Sequence, residues 1–350
     1  MPVLKVRGYA LPDGEPVELF ADGDRWTSDP VKNAELVGEG WLVPGLVDVH
    51  THPGAQEPPE LLDEKMLRDD LHRHVASGVT LIRSPGLAGD PPAWFGKDAD
   101  VPRAVHAGHW IAQHGQFVDG WGTRSTLEDF PHLAAAQARK TEWVKLVADW
   151  GPEDDPLPLD VLRAVVEAVH AEGARVAVHS QNAVGGAAAI AARVDSLEHG
   201  MGLPTGLLAR MAEQGTALTP TLSVFLSSLP EVQSRPESAR REWYVNGTLA
   251  HPGLVAAAGE AGVTILAGTD SHPTGGIVDE IQALADTGLT AHLALGAGSW
   301  IARSYLGLPG LVDGGPADAV IYQHDPRNDL SELRRPIAIL LRGKLAYRAR

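Results

Sequence analysis

The feature of this sequence that most constrains its fold is a repeated alternation of short apolar stretches with amphipathic ones. Leu162, Val165, Val166 and Val169 have the 3.6-residue spacing of a helix that packs one face on a core. Eight strand candidates alternate with helical patterns of this kind over about 260 residues, as expected for a (β/α)8 TIM barrel. The strand candidates are 46–50, 79–83, 103–107, 143–148, 176–179, 196–199, 217–221 and 264–267.

An open, doubly wound sheet is the alternative α/β architecture. In such a sheet, a glycine-rich phosphate-binding loop is expected after the first strand. The nearest match is Gly185-Gly186, which is a weak one. The sequence therefore favours the barrel.

The two ends of the chain have a different sequence pattern, in which short strand candidates are separated by turns. These candidates are 3–9, 17–20, 25–27 and 34–37 at the start, then 317–322, 336–341 and 343–347 at the end. We expect both ends to pair in one small β-sandwich domain, made of residues 1–43 and 310–350. The barrel would then comprise residues 44–309.

Composition excludes several classes of function. The formal charge of −16 leaves no basic surplus to neutralise the phosphates of a nucleic acid. There are no cysteines, so any metal must be bound by nitrogen and oxygen. With neither a signal-peptide pattern nor a membrane-spanning apolar stretch, we expect a cytoplasmic protein with a small-molecule substrate. The oligomeric state is left open, a homo-oligomer included.

Metal-competent side chains stand at the carboxyl ends of several strand candidates. They are His50, His52, Lys145, His179, His199 and Asp270. Residues two apart on a strand project to the same side, so the first two imidazoles point together. In a barrel these strand ends converge on one face, which would bring all six side chains into one pocket.

Each of these residues also has a simpler explanation. A lone histidine in an apolar strand is more often a core residue than a ligand. Lys145 could lie at an edge, since an ammonium is costly to bury, and Asp270 could cap the next helix. Six such coincidences, all at strand ends, are improbable together, so the pattern favours a metal site.

The motifs at these positions resemble those of the amidohydrolase superfamily, the metal-dependent hydrolases with a barrel and a small β-sandwich. They are Gly-Leu-Val-Asp-Val-His-Thr-His at 45–52, Ser-Leu-Glu-His-Gly at 196–200, Leu-Ala-Gly-Thr-Asp at 266–270 and Gly-Gly-Pro-Ala-Asp-Ala-Val-Ile at 314–321. Leu-Thr-Pro-Thr-Leu at 218–222 is similar to a run in the prolidase and imidazolonepropionase-like group.

The resemblance implies two divalent metal ions, with zinc as the default for nitrogen and oxygen ligands. By that resemblance, His50, His52 and Asp270 hold the more buried ion, and His179 and His199 hold the more exposed one. Lys145 would bridge the two ions as a carbamate formed with carbon dioxide, because a cationic lysine cannot bind a metal.

The same resemblance implies a mechanism, in which a hydroxide shared by the metals attacks a carbonyl. Asp270 would act as the catalytic acid–base, passing a proton to the leaving nitrogen. His114 would be a catalytic and substrate-binding residue, because a histidine in the family's similar segment contacts the substrate. Gln181 would also bind substrate, and Arg83 and Arg124 are candidates for a substrate clamp.

Two departures from the family pattern narrow the expected chemistry. The deaminase branch has a glutamate at the position of Asn182, so deamination is disfavoured. Many dipeptidase-like relatives have a tyrosine at the position of Gln181, so dipeptidase activity cannot be carried over.

We therefore expect hydrolysis of an amide, cyclic amide or related C–N bond. A lactonase or an organophosphate or ester hydrolase on the same site is the alternative, with a dipeptidase of Xaa-Pro type or a non-catalytic scaffold less favoured. Trp94, Phe95, Trp121 and Phe225 are candidates for apolar substrate contacts or for packing.

Overall fold

The computed structural model describes residues 3–56, 60–117 and 120–349. The strands are β1 Leu4–Ala10, β2 Glu15–Asp22, β3 Arg25–Thr27, β4 Glu35–Pro44, β5 Leu46–Asp48, β6 Val79–Ser84, β7 Arg103–His106, β8 Ile111–Gln113, β9 Thr123–Ser125, β10 Trp143–Val147, β11 Arg175–Ser180, β12 Ser196–His199, β13 Ala217–Thr219, β14 Ala319–Tyr322, β15 Ala338–Leu341 and β16 Lys344–Arg348. The α-helices are α1 Glu64–Ala76, α2 Phe130–Ala138, α3 Leu159–Ala171, α4 Ala183–Ala192, α5 Leu208–Gln214, α6 Leu222–Ser234, α7 Ala239–Glu260, α8 Ile277–Asp286, α9 Ala291–Ala297 and α10 Trp300–Tyr305. Short 3-10 helices span Leu127–Asp129, Thr205–Leu207 and Leu330–Arg334.

The central strands form two parallel sheets, one of order β13-β12-β11-β10-β8-β9 and one of order β5-β6-β7. The third predicted strand, 103–107, corresponds to β7, which pairs with β6. A further strand that was not predicted, β8, begins a few residues later and pairs with β10. Apolar side chains from both sheets, such as Val47, Leu81 and Ala177, pack together in the interior. The architecture is TIM-barrel-like, as the alternation of strands and helices predicts.

The eighth predicted strand, 264–267, forms one isolated parallel β-bridge, between Ile265 and Leu218, instead of a regular ladder. Backbone hydrogen bonds nevertheless join it to both neighbouring strands. The carbonyl of Thr264 accepts from the amide of Leu218, and the carbonyl of Ala267 accepts from the amide of Val49. This segment therefore links β13 to the strand that leads to His50.

Strands from both ends of the chain form a third, seven-stranded sheet of order β16-β15-β14-β4-β1-β2-β3. The two ends meet where β14 lies antiparallel to β4, with Val320 opposite Val43. The pairing of the two termini is thus as the sequence predicts. A β-sandwich with domain limits of 1–43, 310–350 and 44–309 stays a prediction.

Helix α6 occupies a stretch, 222–234, to which sequence patterning assigned no element. Pro230 lies inside the helix, and the preceding Thr221 has a left-handed φ of 50°. The buried carboxylate of Glu280 accepts hydrogen bonds from the amides of Leu222 and Ser223 at 3.0 and 2.7 Å. A distant side chain therefore satisfies the helix N-terminus, which local sequence does not reveal. Among the described helices, none has the combination of length and hydropathy needed to cross a membrane.

Candidate metal-dependent active site

A cavity of about 520 Å³ opens at the carboxyl ends of the barrel strands. Six side chains that the sequence singles out all line it: His50, His52, Lys145, His179, His199 and Asp270. They come from five strand ends of the barrel: β10, β11 and β12 are neighbours, and β13 and the 264–267 segment continue this order from β12 to the strand before His50. The parallel order of the barrel is what brings them together.

In His50 and His52, Nδ1 is hydrogen-bonded to groups outside the cavity, so that Nε2 faces the cavity. Nδ1 of His52 lies 2.6 Å from the carbonyl oxygen of Gly86, which can only accept, so Nδ1 carries the proton. Nδ1 of His50 lies 2.6 Å from Oε2 of Glu198. This leaves a lone pair on each Nε2, and these atoms lie 3.6 Å (His50) and 3.3 Å (His52) from Oδ1 of Asp270. Support of this kind fixes the tautomer of a metal-binding histidine.

The other two histidines complete a continuous group. Nδ1 of His199 is hydrogen-bonded to Oγ1 of Thr221 at 2.8 Å, and its Nε2 lies 3.9 Å from Oδ2 of Asp270. The rings of His179 and His199 have centroids 4.5 Å apart. Nε2 of His179 is buried and has no hydrogen-bond partner among the described residues. A buried nitrogen with an unused lone pair is what a metal ligand needs.

The charge states of these groups also suit metal binding. Burial lowers the pKa of His50 to about 4, and it lowers the pKa values of His179 and His199 well below the usual range. The imidazoles are therefore neutral at pH 7, which is the form that binds metals. Burial raises the pKa of Asp270, but the neighbouring histidines, His50 foremost, outweigh this and bring it below its ordinary value.

The donor set fits a divalent metal ion. Ligand atoms of His50, His52 and Asp270 all lie within 4.8 Å of one another. Imidazole nitrogen and carboxylate oxygen are the ligands that zinc takes when thiolates are absent. Lys145 is buried on β10 beside this group, and burial lowers the pKa of its ammonium to about 8, against the attraction of Glu198.

Arg83 lies beneath the histidines, away from the position of a substrate clamp. Its Nη2 donates to Oε1 of Glu198 at 2.7 Å, and its Nε donates to the carbonyl of Val49 at 2.7 Å. Burial opposes the ionised form of Glu198, but Arg83 and then His50 hold its pKa well below the usual range. Arg83 therefore positions Glu198, which in turn orients His50. Arg124 lies outside the cavity lining and donates to the carbonyl of Trp121 at 2.9 Å.

The close approach of strands around His50 explains the glycine of the Gly-Thr-Asp motif. A Cβ atom at Gly268 would lie 2.5 Å from Cβ of His50 and 2.7 Å from Cγ2 of Thr219. Only glycine lets the 264–267 segment pass this close to the metal-site strand. The backbone amide of Asp270 then donates to the carbonyl of His50 at 2.7 Å, and Asp270 has a left-handed φ of 47°.

Of the remaining predicted site residues, Gln181 lies in the cavity wall and His114 does not. Gln181 lines the cavity, and its backbone amide donates to Oδ1 of Asp149 at 2.6 Å. His114 is exposed just after β8, and it is absent from the described residues that line the cavity. We therefore give His114 no part in the function proposed below. Asn182 caps α4, because its side-chain oxygen accepts from the amides of Val184 and Gly185.

An aromatic wall surrounds the metal-site histidines, and most of it was not singled out from the sequence. The wall consists of Trp110, Phe117, Trp121, Trp150, Phe225, Trp243 and Tyr244. The rings of Phe117 and Trp150 lie 5.3 and 5.2 Å from that of His179, and Phe225 lies 5.6 Å from His199. Trp121 and Phe225 were candidates. Trp110, Phe117 and Trp150 share the signal of an aromatic residue in a loop that follows a strand end, whereas Trp243 and Tyr244 lie in α7.

Two other aromatic candidates pack elsewhere. The ring of Trp94 lies 4.1 Å from the guanidinium of Arg68, and Phe95 packs edge-on against His106 at 5.8 Å. Neither belongs to the described lining of the cavity.

Comparison with known proteins identifies the family to which this arrangement belongs. A model of the amidohydrolase family matches residues 41–345. The chain belongs to the amidohydrolase family. An uncharacterized protein of Mycobacterium tuberculosis is 40% identical to this amidohydrolase over 365 residues, which cover 97% of this chain and 95% of that protein.

Solved structures show that the fold of this amidohydrolase is like that of prolidase-like proteins. A Xaa-Pro dipeptidase crystallised with methionine in its active site has a TM-score of 0.83 and 22% identity, covering 99% of this chain and 100% of that one. Ochratoxinase of A. niger has a TM-score of 0.83 and 20% identity, with coverage of 99% and 96%. At these identities the likeness concerns the fold.

Proposed function

We propose that this hydrolase cleaves an amide, cyclic amide or related C–N bond of a small molecule at a binuclear metal centre. The observation that carries the proposal is the convergence of four imidazoles, the Asp270 carboxylate and the buried Lys145 on one cavity. Membership of the amidohydrolase family supports hydrolysis, and the supported Nδ1 atoms of three of the histidines support metal binding.

We assign His50, His52 and Asp270 to one ion, and His179 and His199 to the other. Lys145 would lie between the ions as its carbamate, since its cationic form cannot be a ligand. Two zinc ions bound there would supply a shared hydroxide at neutral pH and would polarise the substrate carbonyl.

The protein's own groups would then position the substrate and move protons. Asp270 is the one carboxylate among the described residues that line the cavity. We therefore assign to its carboxylate the transfer of a proton from the attacking water to the leaving nitrogen. The aromatic wall would hold an apolar part of the substrate and exclude bulk water from the reacting bond.

Four other reactions are alternatives to this proposal. A lactone or an organophosphate ester could be attacked on the same site, and a dipeptide of Xaa-Pro type fits the fold likeness to a dipeptidase. Deamination is the least supported, because the side chain of Asn182 is occupied as a helix cap. We keep a small-molecule substrate and a cytoplasmic location within the proposal, and the formal charge of −16 supports the former over a nucleic acid.

Metal content tests the centre itself. We expect about two equivalents of divalent metal in protein prepared with bicarbonate, together with a mass increase at Lys145 that corresponds to carbon dioxide. Less than one equivalent under all conditions, with Lys145 unmodified, would exclude the binuclear form.

A single substitution tests the chemistry. We expect Asp270→Asn to lower kcat by about 10²–10⁴-fold, because the proton carrier is lost. The exposed Asp22→Asn is the control and should match the wild type. A panel of amides, lactones and phosphate triesters identifies the bond, and hydrolysis of esters alone would reject the C–N assignment. Full activity of Asp270→Asn would refute its catalytic role.

A further inference from the structure

Three arginines lie within the stretch 235–241, where α6 ends and α7 begins. Arg235, Arg240 and Arg241 all line the same cavity as the metal-site residues. Arg235 and Arg240 are exposed and Arg241 is half-buried, so they stand at the mouth while the histidines lie at the buried end. The mouth is therefore lined by guanidinium groups that the metal centre does not use.

The charge of the cavity is opposite to that of the protein. The chain has 45 acidic and 29 basic residues, which gives its formal charge of −16. Within the described lining, by contrast, three arginines outnumber the single carboxylate, that of Asp270. A cleft of one sign of charge attracts substrates of the other sign, so this cavity favours an anion.

The arginines also retain donors for a ligand. Arg235 donates through Nη2 to Glu231, and Arg241 donates through Nε and Nη2 to the carbonyl of Gln233. Arg240 makes one long hydrogen bond of 3.4 Å to the carbonyl of Trp150. A guanidinium has five N–H donors, so these contacts with described residues leave part of each fork for a carboxylate.

Helix stability does not account for two of these residues. Arg240 and Arg241 lie in the first turn of the 22-residue helix α7, next to its cap Ser238. Cations are unfavourable at a helix N-terminus, where the macrodipole is positive. A role in binding accounts for basic side chains at a position where local structure favours acidic ones.

The aromatic wall connects the arginines to the metal site. Arg240 reaches Trp150, whose ring packs 5.2 Å from that of His179. On the other side, Tyr244 lines the cavity together with Asp270 and Arg235. A substrate can therefore contact the metal site, the aromatic rings and the arginines at once.

We propose that Arg235, Arg240 and Arg241 bind a carboxylate group of the substrate, which is an amide with an apolar portion and a free carboxylate. This specificity rests on the proposed function, because the scissile bond is placed at the metal centre. The apolar portion lies on the aromatic wall, and the carboxylate lies at the mouth.

Binding of a matched ligand pair tests this assignment without hydrolysis. Calorimetry with the metal-loaded protein would compare 4-phenylbutyrate with 4-phenylbutanamide, which differ in charge. We expect the carboxylate to bind about tenfold more tightly or better, and this preference to fall by about tenfold in the triple variant R235Q/R240Q/R241Q. Arg240→Gln alone should show part of the loss, and the exposed Arg210→Gln on α5 should show none.

Either of two results would overturn the proposal: equal binding of the two ligands by the wild type, or an unchanged preference in both arginine variants. The second result would mean that the carboxylate binds the metals instead. Hydrolysis of N-acyl amino acids and of their amides is measured in parallel. If the wild type hydrolyses neither compound but still binds the carboxylate ligand more tightly, the proposed function alone is rejected. If it hydrolyses them but binds the two ligands equally, the arginine site alone is rejected.

Discussion

Among the described residues, two arginine–carboxylate pairs are buried on both sides, one near each end of the barrel strands, and they serve different purposes. Arg83 and Glu198 lie under the histidines, where Nη2 of Arg83 is 2.7 Å from the carboxylate. Arg303 and Asp318 lie at the opposite end, 3.5 Å apart. Strand β6 contacts both, because it contains Arg83 near its end and Thr80, which accepts from Arg303, near its start.

The two pairs differ in what their carboxylates hold. Glu198 accepts from His50, so the first pair ends in a metal-site residue. Asp318 also accepts from Arg103 at 2.9 Å, and Arg303 donates to the carbonyl of Gly45 at 2.7 Å. The second pair thus joins the terminal sheet to the strand starts of the barrel. The same type of buried ion pair orients a functional group at one end and fastens two sheets at the other.

The largest effect is expected from Glu198→Gln. This change leaves Arg83 buried without a counter-charge and replaces the carboxylate behind His50. We expect the free energy of unfolding to fall by about 3–5 kcal/mol and the metal affinity to fall by about 10–100-fold. Chemical denaturation and metal titration measure the two effects, with the exposed Glu167→Gln on α3 as the control. Wild-type metal affinity would show that Glu198 does not support the site.

Asp318→Asn should separate stability from metal binding. The change removes the counter-charge of the buried Arg303 and one of the two carboxylates paired with Arg103, so we expect a loss of about 3–5 kcal/mol in the free energy of unfolding. Metal affinity should stay at the wild-type value, because Asp318 lies at the other end of the strands. A fall in metal affinity equal to that of Glu198→Gln would contradict the division of roles between the two pairs.

A smaller effect is expected at Glu280, a buried carboxylate without an ion-pair partner in the described part of the chain. Burial raises its pKa from 4.5 to about 7, so the folded protein binds this proton more tightly than the unfolded chain does. Its contribution to stability is present at low pH and is lost as the pH rises through about 7.

Replacing Glu280 with glutamine removes that dependence and keeps one side-chain oxygen, which can accept from the amide of Leu222 or of Ser223 in place of the two carboxylate oxygens. We expect Glu280→Gln to gain about 1–3 kcal/mol relative to the wild type between about pH 5 and pH 8. Unfolding measured at both pH values tests this. An identical pH dependence in the two proteins would show that Glu280 does not titrate in this range.

The metal-competent residues could be located from the sequence because strand order and chemistry coincide. Buried parallel strands end at one face of a barrel, so His50, His179 and His199 needed only correct strand assignment to be placed together. The partners behind them could not be located in this way. Glu198 and Arg83 stand on different strands, and their contact depends on side-chain direction.

The mouth of the cavity was not predictable from sequence patterning. Helix α6 contains Pro230 and begins under the distant Glu280, so the arginines that follow it could not be assigned to the cavity. His114 lies beside a strand pairing that patterning did not predict: its backbone amide donates to the carbonyl of Ser125, next to the ladder between β8 and β9.

The helix cap at Asn182 bears on how readily this protein could acquire another activity. A glutamate at this position would introduce the proton-transfer group of the deaminase branch, yet it would remove the amide oxygen that satisfies the amides of Val184 and Gly185. Losing such a cap costs about 1 kcal/mol, and it would loosen the start of α4, close to Gln181 in the cavity wall. An evolutionary route from this hydrolase to a deaminase therefore needs at least two changes, one for the chemistry and one to rebuild the helix start.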